Sequence, residues 1–380
     1  MPVSGPDVNR PLRWISLFLC LALSVALGAC DSGGSGDDSM DDGSLNCAFP
    51  VDFLNEGANR GFITPVNNPV LVGASAAEKE LPSFSGTDRV LGLPPSFHEA
   101  FGNTPLAVPL DVLFESEVIN TEKWGGRPLA ITFCPLTSST LVFDRMAVDG
   151  AQFEISGLLL NKGNEDHPGN LVMVDTDGKE SLWPQMSLGS VCGPDRGTSL
   201  NVLPAVEMRW ERWKELYPNT EVATEGDGSE STAAAENGWQ TPPRTARPKM
   251  DDEVPLGRVL GIPGRSRIGG GTGGFAFAFQ DLDDGMPARV VEVTIQSETV
   301  TVFWNRDARA AMAFQTSSSF SVQNGKIVDD QTQSVWTVAG RAVEGTRQGE
   351  HLDPVKGAYI ASGRAWFDFQ PDSELWNDSQ

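Results

Sequence analysis
Leu129–Arg145 reads L-A-I-T-F-C-P-L-T-S-S-T-L-V-F-D-R. Two apolar runs, Leu129–Phe133 and Thr140–Phe143, flank the corner Cys134-Pro135-Leu136-Thr137-Ser138-Ser139, a pattern that predicts two strands joined by a tight turn. Proline fixes φ and has no backbone donor, so Pro135 ends the first strand and leaves Cys134 at its end. A thiol followed by three hydroxyls at a strand end is a place where a site can sit. Cys134 is therefore the candidate catalytic residue.

Outward from this corner the chain reads as a tandem repeat. Arg89-Val90-Leu91-Gly92-Leu93 recurs as Arg258-Val259-Leu260-Gly261-Ile262, and Ser181-Leu182-Trp183 recurs as Ser334-Val335-Trp336. Gly193 and Gly197 recur as Gly345 and Gly349 with the same spacing, and Trp213 with Pro218 recurs as Trp366 with Pro371. Four matches in one order predict two copies of one module. Short apolar runs bounded by Gly, Asp or Asn, such as Phe153–Ser156, Leu171–Val174, Val290–Ile295 and Thr299–Trp304, make the module β. Val206–Tyr217 is the clear helix candidate, with Trp210, Trp213 and Tyr217 on one face and Pro218 as its stop. Gly269–Gly274 lacks the Lys-Ser/Thr of a phosphate loop and reads as a turn before a strand. The expected fold is mainly β with a few short helices: two diverged repeats of one antiparallel module, related by a pseudo-twofold.

The expected organisation is a signal peptide at 1–29, an acidic tether at 30–45, a first module at 46–221, a linker at 222–253 and a second module at 254–376. Arg10 and Arg13 precede an uncharged run from Trp14 to Leu27, too short to span a bilayer and of the length of a signal-peptide core. It ends in Leu27-Gly28-Ala29-Cys30, which resembles a bacterial lipobox and implies lipidation of Cys30. Asp31–Ser44 is Gly, Ser and Asp with almost nothing apolar, so it reads as a tether. The expected location is the bacterial cell envelope, anchored to the inner or the outer membrane through the lipid. A net charge of -23 argues against nucleic acid as a partner.

With Cys20 in the signal and Cys30 lipidated, Cys47, Cys134 and Cys192 remain, and three cysteines allow three single bridges. Cys47–Cys192 is preferred because Cys47 opens the folded part and needs a staple, which leaves Cys134 free.

Arg127–Arg145, Gly157–Leu159 and Asn170–Gln185, the last reading N-L-V-M-V-D-T-D-G-K-E-S-L-W-P-Q, resemble a bacterial family known as domain-of-unknown-function family 3179. Its pattern runs Y-C-P-L-C-x-S, then N-L-x-M-Y-D, then S-L-W-x-Q, and the likeness covers roughly residues 60–376. Thr137 stands where the family has its second cysteine, so no C-x-x-C pair forms here. Ser116-Glu117-Val118-Ile119-Asn120-Thr121 stands for the family's H-E-x-x-N-D and lacks its His and Asp. The second copy carries Trp304 at the place read as equivalent to Cys134.

Around Cys134 the candidates to line a pocket are Glu117, Asn120, Ser139, Asp175, Ser181, Trp183 and Gln185. Asp175 and Ser181 equally suit a turn, and Trp183 a core. No metal or cofactor is implied, because none of the three His sits at a ligand spacing to Cys134. The expected function is a non-catalytic β protein that binds a small molecule or an envelope protein. The alternative is an enzyme or redox protein using Cys134 as a reactive thiol, with Arg145 and Glu117 as its charged neighbours. A third reading, sugar binding on exposed Trp, rests on the ten Trp in the chain.

Overall fold
In the computed structural model the Leu129–Arg145 stretch forms a hairpin. Leu129–Cys134 and Ser139–Asp144 pair antiparallel, with Leu129 opposite Asp144 and Cys134 opposite Ser139. Both strands are buried along their whole length, which is why neither shows a clean polar alternation. The connection is Pro135–Ser138, with Ser138 in the left-handed region at φ 47°. The structure describes residues 46–81, 84–99, 101–122, 124–161, 169–224, 257–264 and 273–378. The signal, Cys30, the tether and almost all of the linker lie outside them.

The chain is mainly β, built of several antiparallel sheets with short helices at their edges. Its first half pairs Arg89–Leu93 antiparallel with Val206–Arg209 and with Leu106–Pro109, which in turn pairs parallel with Glu221–Ala223. In the second half, Arg258–Ile262 pairs antiparallel with Tyr359–Ser362 and with Phe275–Ala278, and the last pairs parallel with Glu374–Leu375. A second sheet of Phe153–Leu160, Asn170–Asp175 and Leu182–Pro184 has its counterpart in Phe320–Gln323, Lys326–Asp329 and Val335–Trp336. For these strands the order of pairings is the same in both halves, while Leu54–Glu56 and Leu71–Gly73 add pairings in the first half alone.

The halves interlock. Ile360 of the second half pairs with Thr140 of the first, so one sheet runs through both. Ser362 N–H donates to the Thr137 carbonyl at 2.8 Å, and Arg209 N–H donates to the Ala308 carbonyl at 3.0 Å. Gly92 and Gly261 are required by one packing rule: a Cβ on either would sit 2.1 Å from the ring of Trp213 or Trp366. The R-V-L-G repeat is thus the imprint of a helix tryptophan lying on a strand.

Glu207 lies between the halves with no exposed side-chain surface. Arg89 Nε donates to its Oε1 at 2.5 Å, Arg258 donates to both oxygens, and Thr140 Oγ1 donates to Oε2 at 3.2 Å. The two repeated arginines share one carboxylate, whose pKa ends at about 2 because their charges outweigh its burial.

Three expectations are corrected. Val206–Tyr217 is not one helix: Val206–Arg209 is a strand, and only Trp210–Leu216 is helical. Its backbone donors and acceptors are taken by Arg89–Leu93, and sheet pairing overrides the aromatic spacing. The linker begins later than residue 222, because Val222 and Ala223 complete a strand against Leu71–Gly73. Finally, the position matching Cys134 is Asn305, not Trp304. Asn305 faces Ala310 beside the second hairpin turn as Cys134 faces Ser139, and Arg309 takes the left-handed place of Ser138 at φ 50°.

Candidate functional site
Cys134 ends its strand 1% exposed and unbridged, while Cys47 and Cys192 are joined by a disulfide. Its sulfur accepts the Leu171 N–H at 3.4 Å. Burial pushes the thiol pKa up and the Glu117 charge adds to it, so near neutrality the group is a thiol and a poor nucleophile.

Beside it lies a closed polar network. Gln185 donates from Nε2 to Thr132 Oγ1 at 2.8 Å and to the Ser139 carbonyl at 3.2 Å. Its Oε1 accepts from Ser139 Oγ at 2.5 Å and from Asn170 Nδ2 at 3.0 Å. Asn170 also reaches Thr137 Oγ1 at 3.1 Å and accepts the Met186 N–H at 2.8 Å. Thr132, Thr137, Ser139, Asn170 and Gln185 are each 0% exposed. Every donor and acceptor role of the Gln185 amide is filled internally. Such a network fixes the packing of its strands, and desolvation makes it costly to disturb.

Asp175, Ser181 and Trp183 form a separate group. Asp175 Oδ2 accepts the Trp183 indole N–H at 2.9 Å and the Ser181 N–H at 3.1 Å, and Ser181 Oγ accepts the Asp195 N–H at 3.0 Å. Burial raises the Asp175 pKa. In the second half Asp329 and Ser334 hold the equivalent turn, where Asp329 takes Arg347 at 2.6 Å and Ser334 Oγ takes the Arg347 N–H at 3.1 Å. The Asp and Ser organise a turn in both halves, whereas the indole N–H is held by the Asp only at Trp183. Asn120 is structural too: it donates to the Phe153 carbonyl at 2.9 Å and accepts the Phe153 N–H at 3.0 Å, tying two sheets together.

Glu117 stands apart. It caps the helix Leu110–Ser116 at φ 55°, and its carbonyl accepts the Phe133 N–H at 2.8 Å. Its carboxyl has no hydrogen bond or ion pair among the described residues, and burial pushes its pKa up to about 7. Arg145, the other charged neighbour, is fully buried and spent on the carbonyls of Leu129, Gly150 and Ala151. It does not serve Cys134.

The eight sequence candidates therefore do not form one constellation: Ser139 and Gln185 share the network beside Cys134, Asp175 joins Ser181 and Trp183, and Asn120 and Glu117 each stand apart. Thr132, Thr137 and Asn170 were missed as members of that network. Only Thr132 carried a local signal, as a polar residue inside the apolar run Leu129–Phe133, whereas Thr137 lies in the turn and Asn170 opens a strand. Among the described residues no three His, Cys, Asp or Glu lie together as a metal site. All eight described Trp are buried, from Trp124 to Trp376, so among the described residues the exposed-Trp reading finds no exposed Trp.

The family described as "Protein of unknown function (DUF3179)" matches residues 61–373, and the chain belongs to it. Neither the curated proteins nor the solved structures contain a match.

Proposed function
Starting from a family without an assigned reaction, we propose that this protein is a non-catalytic binding protein of the bacterial cell envelope. It is held to a membrane by a lipid on Cys30 and built from two copies of one β module about a pseudo-twofold. The observation that carries the reading is the sealed Cys134 corner, a buried thiol of raised pKa beside a polar network with no open valence. The Cys47–Cys192 disulfide suits an oxidising compartment. Its occupant is a small molecule or an envelope protein.

The test is thiol chemistry. In the folded protein Cys134 should react slowly with a thiol reagent at pH 7 and quickly after denaturation. Rapid modification of the native protein at this one cysteine would favour the alternative, a reactive-thiol enzyme. Glu117 is the observation behind that alternative, a carboxyl titrating near neutrality whose charge reaches Cys134. For the anchor, Cys30→Ser should move the protein from the membrane to the soluble fraction of a bacterial host, and unchanged fractionation sinks that part.

A further inference from the structure
A cleft of about 520 Å³ opens between the end of the helix Trp210–Leu216 and the turn after Val335–Trp336, within the usual size of small-molecule sites. Tyr217, Thr337, Arg341 and Gln348 line it. Tyr217 is 7% exposed, and its hydroxyl is buried with no hydrogen-bond partner among the described residues. A buried hydroxyl without a partner is costly to desolvate, so its presence on a cleft wall asks for a ligand atom. The Arg341 guanidinium makes no hydrogen bond or ion pair among the described residues. In a chain of net charge -23 with 51 acidic residues, an unpaired arginine in a cleft is a conspicuous omission. Glu215, the acid on the rim, is already held by Arg212 at 2.7 Å.

The matched position in the other half shows that the fold does not need this set. Leu200 N–H donates to the Leu188 carbonyl as Leu352 N–H does to Gly340, and Gly197 donates to Ser190 as Gly349 does to Ala342. Arg341 thus corresponds to Gly189, and its bridge partner His351 to Ser199. Tyr217, which donates to Trp213 at the helix end, corresponds to Gln370, which donates to Trp366. Gly189 and Gln370 suffice at the matched places, where Arg341 and Tyr217 line the cleft.

We propose that this cleft binds a small ligand bearing an oxyanion, a carboxylate or a phosphate, held by the Arg341 guanidinium and the Tyr217 hydroxyl. Thr337 and Gln348 supply further donors at the rim. The proposal rests on the binding reading above and names the ligand class for it.

Full-length protein in mild detergent is titrated calorimetrically with succinate, with inorganic phosphate and with neutral glycerol. Saturable binding of succinate or phosphate tighter than about 1 mM, without glycerol binding, is the expected result, and the two anions separate the carboxylate source from the phosphate one. Arg341→Gln should weaken it at least about tenfold, the loss of a charge-assisted hydrogen bond. Tyr217→Phe should weaken it several-fold while leaving the unliganded melting temperature unchanged or raised. No binding of either anion, or binding indifferent to Arg341→Gln, overturns the site. Conversion of the bound anion would keep the site and overturn the non-catalytic reading, and rapid Cys134 labelling would overturn that reading without touching the cleft.

Discussion
Thr132, Ser139 and Gln185 in the first half correspond, by strand register and by the Trp183–Trp336 match, to Phe303, Ala310 and Val338 in the second. All six are buried. The second half closes this layer with aromatic and aliphatic packing, Phe303 lying 5.1 Å from Phe314 and 5.0 Å from Phe320 between ring centroids. In the first, the same layer is closed with five linked polar side chains and a thiol. One backbone pattern accepts both solutions, so the polar one is not demanded by the fold. Buried polar groups give little net stability and a strong penalty when broken, which makes the first half the more specified and the more brittle of the two. The same asymmetry recurs at the shared carboxylate: Glu207 faces Leu91 across its strand pair, where the second half has Ile360 facing Leu260.

The strongest way to break this comparison is at that carboxylate. Glu207→Gln removes the buried carboxylate that Arg89 and Arg258 share, and should destabilise the protein by about 3–5 kcal/mol in denaturant unfolding. The folded pKa of about 2 lies below the ordinary 4.5, so Glu207 stabilises above pH 4.5 and loses that contribution as pH falls towards 2. An acid limb identical in wild type and variant would remove the shared-carboxylate account.

Glu117 carries the opposite sign. Its folded pKa of about 7 lies above 4.5, so the protein loses up to about 3 kcal/mol as pH rises from 4.5 to 7 and the unfolded chain ionises first. Glu117→Gln should therefore stabilise the protein at pH 8 and match wild type below pH 4.5. A gain independent of pH would mean that the carboxyl is solvated or paired. The smallest effect expected is in the polar layer. Gln185→Val, the second half's residue, should cost about 1–3 kcal/mol by stranding Thr132, Ser139 and Asn170. Adding Thr132→Val and Ser139→Ala should cost less than the sum of the single changes, because the groups left stranded go too. Strict additivity would show that the network is not one unit.

Sequence by itself determined the β class, the Leu129–Arg145 hairpin, the repeated R-V-L-G and S-x-W segments and the family, because alternation, proline and glycine placement and motif spacing are local properties written residue by residue. It misjudged Val206–Arg209, whose aromatic spacing continues a helix until a strand partner claims its backbone. It also set Trp304 against Cys134, an error of one residue that only the pairing across the hairpin reveals. The candidate site was half legible: Cys134, Ser139 and Gln185 were found, but not their closure by Thr132, Thr137 and Asn170. Tyr217 and Arg341, which lie 124 positions apart, carry no motif at all. Tertiary structure alone brought them to one cleft, aimed two repeated arginines at one glutamate and buried the thiol. Desolvation and counter-charge depend on what surrounds a group in space, and no spacing along the chain encodes them.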